Sequence, residues 1–278
     1  MILQQIIDKL YDLDPAKAGR EDVLGAVEEL ICSLNEGEVR AAEPLPGGVW
    51  RVNEWVKKGI LLAFRYGKLA PVTAGNDFGY FDKDTMAVRV FSPDDGVRMV
   101  PGGSAVRDGA YIAPGVVIMP PSYVNIGAYI DAGTMIDSHA LVGSCAQLGG
   151  KVHLSAAAQI GGVLEPIGSM PVIVEDEVFI GGNCGIYEGT FIGRRAVIAA
   201  GVILTRSTPV YDIVRETVYR GSASQPLAIP AGAVVIPGSR KLKQPFAEKH
   251  GLSLTAPVIL KYRDDKTDAS TVLEQSLR

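Results

Sequence analysis

The segment YIDAGTMIDSHA, residues 129–140, places two carboxylates six residues apart, each directly after an isoleucine: Asp131 after Ile130 and Asp137 after Ile136. A carboxylate held where water is scarce is a strengthened base, useful for proton transfer near neutral pH. Between Ala110 and Leu164 the only other charged residue is Lys151. Aspartate is equally a turn former that accepts hydrogen bonds from its own backbone, and local chemistry does not separate two identical Ile-Asp pairs. The second candidate group is cationic. Residues 191–244 hold Arg194, Arg195, Arg206, Arg215, Arg220, Arg240, Lys241 and Lys243 against Asp212 and Glu216 alone. Residues 1–50 are the reverse, with four Lys/Arg against ten Asp/Glu. A basic C-terminal half suits a small anionic ligand, and a solvated basic face accounts for it as well.

The remaining reactive side chains point to little. His139 and His153 stand 14 residues apart with no third histidine near them, so no metal site is expected. The three cysteines, Cys32, Cys145 and Cys184, are odd in number and unevenly spread. They suggest neither a disulfide framework nor zinc, and they fit a reducing cytoplasm. The phosphate-cradling, metalloprotease and serine-nucleophile motifs are absent.

The elements that must hold these groups follow from one period. Aliphatic residues recur every six positions from Ile112 through Ile118, Val124, Ile130, Ile136, Val142, Leu148 and Leu154 to Ile160. They resume from Val174 through Ile180, Ile186, Ile192 and Ile198 to Leu204, with a short return at Ile229 and Val235. A fixed repeat decides architecture before anything else does. Period six fits neither a helix nor simple strand alternation; it fits a coil with short strands for sides and a corner after each inward aliphatic. The residue four further on is small throughout, as at Ala128, Thr134, Ala140 and Cys184, which suits a cramped interior. Glycine recurs three after the aliphatic, at Gly115, Gly127, Gly133, Gly189, Gly201 and Gly232, where a corner wants positive φ. Three hexads a turn predict about five coils.

Around this solenoid, Ile2 to Tyr11 and Glu21 to Asn35 read as amphipathic helices, and NEWVKKGILLAFRYG as a third that ends at Gly67. EVRAAEPLPGGVWRV reads as a small hairpin, LTAPVILKYR as a strand and DASTVLEQSL as a closing helix. The expected organisation is a helical (α/β) unit over 1–100, a solenoid over 101–240 and a C-terminal strand and helix over 241–278. Excursions are expected at 161–173, where the period slips by two residues, and at 209–226, which reads as a hairpin.

Composition bounds the function. Hydrophobic residues make up 47% and charged residues 21%, an ordinary globular balance. The net charge of −4 argues against a nucleic-acid partner. Runs such as GILLAF and GVVIMPP are too short to span a bilayer, and no leader peptide is legible at the N-terminus. A solenoid exposes every face, so a long stretch with three charges leaves apolar surface that self-association would cover. A closed cyclic oligomer is expected.

The hexads resemble those of hexapeptide-repeat acyltransferases, and the resemblance implies a left-handed parallel β-helix and a trimer with sites between subunits. A closer likeness rests on VWRVNEWVKKGILLAFR, PPSYVNIGAYIDAGTMIDSHALVGSCAQLG, VHLSAAAQIGGVLEP and IYEGTFIG. These blocks resemble the tetrahydrodipicolinate N-succinyltransferase family from about residue 49 to 240. The resemblance implies succinyl transfer from succinyl-CoA, a co-substrate and not a bound cofactor, to the amine of a ring-opened dicarboxylate in diaminopimelate and lysine synthesis. The family's aspartate falls on Asp137 and its glutamate on Glu188, while Arg98 and Arg107 match arginines that meet substrate carboxylates. This sequence departs where DTWA becomes DSHA, putting His139 in place of a tryptophan, around Asn183 where an arginine is often found, and in an extra residue near PGGSAVR. Arg240 and Lys241, beyond the last coil, suit the phosphates of CoA. Two alternatives stay open: an acyltransferase that uses acetyl-CoA or another amino acceptor, and a non-catalytic β-helical scaffold. The 161–173 loop and the clustered arginines speak against the scaffold.

Overall fold

The computed structural model describes residues 2–14, 19–73, 79–222 and 225–264. Its centre is a left-handed parallel β-helix of triangular section, built from two-residue strands on three faces. The first face carries strands beginning at Arg98, Val117, Met135, His153, Phe179 and Val197, and then Ala233. The second carries those at Ala105, Tyr123, Leu141, Gln159, Gly185 and Ile203, and the third those at Tyr111, Tyr129, Gln147, Ile173, Phe191 and Ala228. Successive tiers stack in perfect hexad register: Ile112 pairs with Ile130, Ile130 with Leu148 and Leu148 with Val174. The inward aliphatics from Ile112 to Leu204 are at most 3% exposed, and the small residues four further on, from Val116 to Val202, share their core.

Six tiers form, where the hexads predict five. Arg98–Met99 and Ala105–Val106 begin the first tier ahead of the regular series, and Ala228–Ile229 completes the sixth after the second excursion. The corner residue three after each aliphatic from Ile112 to Leu204 adopts left-handed φ, the exceptions being Pro121, Val163 and Ser207. Glycine does so at Gly115, Gly127 and Gly133, but His139, Cys145, Lys151, Ala157, Glu177, Asn183 and Arg195 do so as well. A non-glycine residue there is strained by about 1 kcal/mol, which the parallel ladders on either side of each corner must offset.

Helices α1 (Leu3–Asp12), α2 (Arg20–Asn35) and α3 (Glu54–Tyr66) match the expected periodicity. They share a core of Ile7, Val23, Leu30, Val56 and Ile60 that includes Ile126 and Cys145 of the β-helix. The helical unit is thereby docked on the corner between the second and third faces. α3 lies so close to its neighbours that a Cβ on Gly59 would meet Leu30 at 2.3 Å and Ile7 at 3.1 Å. The hairpins over 42–52 and 210–219 form as expected. The single strand expected over LTAPVILKYR is instead two, Ser253–Thr255 and Val258–Tyr262. They are parted at Pro257, which has no N–H to give a ladder. The closing helix expected over 268–277 lies outside the described residues.

Candidate functional site

The triangular section separates the two aspartates that the sequence presents as equals. Each ends a strand and accepts its neighbour's backbone N–H, Asp131 Oδ1 from Ala132 and Asp137 Oδ1 from Ser138, both at 2.7 Å. Six residues are one face, so the two sit on different corners. Asp131 ends a strand of the third face, on a corner that also carries Lys151, Asp176, Glu177, Arg194 and Arg195. It lines a cavity of about 340 Å³ with Arg40, Trp50 and Asp176. Arg40 there lies 3.6 Å over the Tyr129 ring and donates to Gln147 at 2.9 Å. Burial pushes the Arg40 guanidinium below its ordinary pKa, against the pull of Tyr129, Asp131 and Glu43.

Asp137 ends a strand of the first face. The corners stacked above and below it are Met119–Pro121, Ser155–Ala157, Gly181–Asn183 and Ala199–Gly201. None of these carries an ionised side chain, so Asp137 is the lone charge of its corner from the second tier to the sixth. The Ser122 hydroxyl donates to the Asp137 carbonyl at 2.7 Å. His139 projects at the same corner with φ of 62° and is exposed.

Glu188 stands on the corner between the second and third faces, in the fifth tier. Here two successive residues are left-handed, Glu188 at 54° and Gly189 at 74°. The Glu188 carboxylate accepts the Arg206 backbone N–H at 3.0 Å. It lines a cavity of about 350 Å³ with Val52, Ser169, Met170, Arg206 and Gln225. The 161–173 excursion leaves the β-helix at this corner and forms one wall. Asp137 and Glu188 therefore flank the second face, at its two edges and two tiers apart, which is ~10 Å along the axis.

Among the other predicted residues, Arg98 is exposed at the start of the first face, with no side-chain hydrogen bond or ion pair among the described residues. Arg107 is committed within the chain: it pairs with Asp82 at 2.5 Å and donates to Tyr123 at 2.7 Å and to the Met86 carbonyl. Burial opposes its charge, but Tyr123 and Asp82 outweigh that and raise its pKa. It lines a separate cavity of about 510 Å³ beside the antiparallel strands Leu69–Thr73 and Gly79–Lys83. Arg240 and Lys241 are exposed on the strand Ser239–Lys241, and Lys241 with Lys243 borders a hollow of about 420 Å³ beside the short helix α4 (Pro245–Lys249).

No group of three metal-ligating residues exists among the described residues. Cys145 and Cys184 are buried core residues, and burial pushes the Cys145 thiol up to about 12. His153 is buried and stacked on Phe179 at 4.8 Å. The sequence reading overlooked Lys57 of α3, which is wholly buried and donates to the Ser169 carbonyl at 2.6 Å. Its signal was there to read: Lys57 falls on the apolar stripe with Ile60, a place where a lysine needs a partner.

Residues 2–66 match the family described as tetrahydrodipicolinate N-succinyltransferase N-terminal, and residues 171–206 the hexapeptide repeat of succinyl-transferase. The 2,3,4,5-tetrahydropyridine-2,6-dicarboxylate N-succinyltransferase of Ralstonia nicotianae is 43% identical over 99% of this chain and 98% of its own. That of Paraburkholderia phymatum is 45% identical at the same coverage, and that of Zymomonas mobilis 41% identical over 100% of this chain and 96% of its own. With identity at that level along its whole length, and with residues 2–66 matching the N-terminal model of that family, the chain belongs to the tetrahydrodipicolinate N-succinyltransferase family.

Proposed function

We propose that the chain transfers succinyl from succinyl-CoA to the amino group of ring-opened tetrahydrodipicolinate, in diaminopimelate and lysine biosynthesis. The observation that carries this is near-full-length similarity to relatives named for that activity. The amine lone pair attacks the thioester carbonyl carbon; the C–N bond forms, the C–S bond breaks, and the proton lost by nitrogen ends on the departing CoA thiolate. A carboxylate that takes this proton contributes ~10²–10⁴-fold. Asp137 is our candidate for that base, supported by its isolation on an otherwise uncharged corner. Glu188, facing the 350 Å³ cavity, is the second candidate carboxylate. Arg98 is available for a substrate carboxylate. Arg107 serves as a second binder only if it releases Asp82. Arg240 and Lys241 are our choice for the CoA phosphates, supported by their exposure.

The site is assembled in a homotrimer in this reading. Asp137 and Glu188 lie on opposite edges of the second face, so one chain does not bring them together. Three chains arranged with their second faces toward a common axis set the Asp137 edge of one beside the Glu188 edge of the next. The outward residues of that face, Ala105, Tyr123, Leu141, Gln159, Gly185 and Ile203, carry no charge, as a self-complementary contact requires. The division into a docking unit over 1–100, a catalytic β-helix over 101–240 and a CoA-binding extension over 241–278 belongs to the same proposal. So does a cytoplasmic location, supported by three free cysteines. No helix among the described residues is long and apolar enough to cross a membrane. Thiol release from succinyl-CoA, with 2-aminopimelate as a stable acceptor analogue and acetyl-CoA as the competing donor, tests the activity. Release confined to acetyl-CoA, or to neither donor, overturns it, and light scattering that finds a monomer overturns the assembly.

A further inference from the structure

Residues 164–171 pass over the Glu188 corner, with Leu164 at their start packed against the helical core and few hydrogen bonds beyond it. Within the loop, Ser169 N–H donates to Pro166 at 2.9 Å, closing a turn on itself. The neighbouring residues are fastened at either end, Val163 to the Ser144 carbonyl and the Val172 carbonyl to the Gln147 N–H. Among the described residues, one hydrogen bond ties 164–171 to the rest of the chain: Lys57 Nζ to the Ser169 carbonyl, at 2.6 Å.

The donor is an unusual one. Lys57 is 0% exposed, and burial lowers its pKa against the pull of Cys145 and Glu54. Cys145 is itself a buried thiol pushed up to about 12 and so is neutral at physiological pH, which leaves Glu54, one turn earlier on α3, as the nearby carboxylate. A lysine in such a place does not add stability. A well-packed apolar side chain of the same length is ordinarily as good or better. What the ammonium adds is direction, since it draws one carbonyl of the loop to a fixed point. That point is near the chemistry. The next carbonyl, of Met170, lies 2.4 Å from where a Cβ on Gly189 would be, and Ser169, Met170 and Glu188 line the same cavity.

We infer that Lys57 is a positioning residue: from the helical unit it pins the 164–171 loop through the Ser169 carbonyl, and so sets the wall of the Glu188 cavity against which the reacting groups are aligned. The inference rests on the Glu188 cavity belonging to the transferase site, and its test separates the two. Lys57→Met in the full chain is compared with the unaltered protein by hydrogen exchange and by steady-state thiol release. Exchange at 164–171 is expected to rise about tenfold or more, with α1 to α3 as protected as before. The turnover number is expected to fall at least about tenfold, with the KM for succinyl-CoA within about twofold, because misplacement of ~1 Å costs up to ~10²-fold. Combined with Glu188→Gln, the two defects should be far from additive.

Unchanged loop exchange overturns the clamp whatever the enzyme does. A looser loop with undiminished turnover, or additive effects with Glu188→Gln, overturns the link to Glu188. If Glu188→Gln alone is fully active, the reading of the cavity falls, while the exchange data still decide the clamp. Should Lys57→Met unfold the helical unit, Lys57→Arg keeps the charge but displaces the donor. It is expected to show the same loop exchange and turnover defects in milder form, and unaltered values in both overturn the proposal.

Discussion

A methyl group added at Gly189 and another at Gly201 would meet the same backbone and different surroundings. Both residues lie three after an inward aliphatic, with φ of 74° and 78°, so Gly→Ala at either carries a left-handed penalty of ~1–2 kcal/mol. A Cβ at Gly201 has nothing within 4 Å, whereas at Gly189 it would sit 2.4 Å from the Met170 carbonyl oxygen. Ordinary contact begins near 3.4 Å, so the loop wall must retreat by roughly 1 Å, and an error of that size in a reacting site costs up to ~10²-fold. Gly189→Ala should therefore lose about 10²-fold in turnover number, ~2.7 kcal/mol of barrier. Gly201→Ala should keep turnover within about twofold. Thermal unfolding should show both variants lowered by several degrees, at ~2–4 °C per kcal/mol for a chain of this size. Thiol release measures the first quantity and calorimetry the second. Equal turnover in the two alanine variants, at similar melting temperatures, would refute the coupling of the loop to the Glu188 corner.

Asp137→Asn should lose most turnover with the assembly intact, while Asp131→Asn stays near full activity; light scattering and thiol release together check this, and equal losses would show that the two corners do not differ in function. Asp212 gives the pH dependence. Burial opposes its charge, but the Tyr262 hydroxyl at 2.6 Å and the backbone N–H groups of Arg215 and Val214 outweigh it and hold its pKa below the usual value. A carboxylate whose native pKa is depressed stabilises the fold above its unfolded pKa of ~3.9, and that stability is lost as pH falls through the lower native value. Asp212→Asn should therefore narrow the stability difference between pH 7 and pH 3 in urea titrations, with an undiminished difference counting against the network around Tyr262.

Much of the fold was legible because its physics is local. Each hexad carries its own inward aliphatic, its own small partner and its own corner, so the repeat declares itself without knowledge of neighbours. Helices α1 to α3 and both hairpins were read for the same reason, from periodicity and turn residues. The extra tier, the first, was missed because its opening strand at Arg98 lies seven residues before the next at Ala105 and so falls out of phase with the regular series. The break at Pro257 follows a plain rule that a reading of hydrophobicity passed over. Lys57 on the apolar stripe of α3 signals that a partner is needed, but which partner, a carbonyl 112 residues away, has no trace in its own segment.

The two aspartates mark the boundary between the levels. The sequence by itself determined that Asp131 and Asp137 occupy the same place in the hexad, and both do accept their neighbour's N–H at 2.7 Å. It also determined the β-helix, the helical unit ahead of it and, by family likeness, the class of reaction. Only the tertiary structure decided that six residues are a third of a turn, which sends one aspartate to a corner shared with Arg194 and Glu177 and the other to a corner with no further charge. It likewise decided that Glu188 flanks the same face as Asp137 from the opposite edge, and that Arg107 is bound to Asp82. The physical reason is that a side chain's local bonding is set by the residues beside it in the chain, whereas its solvation and charged neighbours come from the coils above and below.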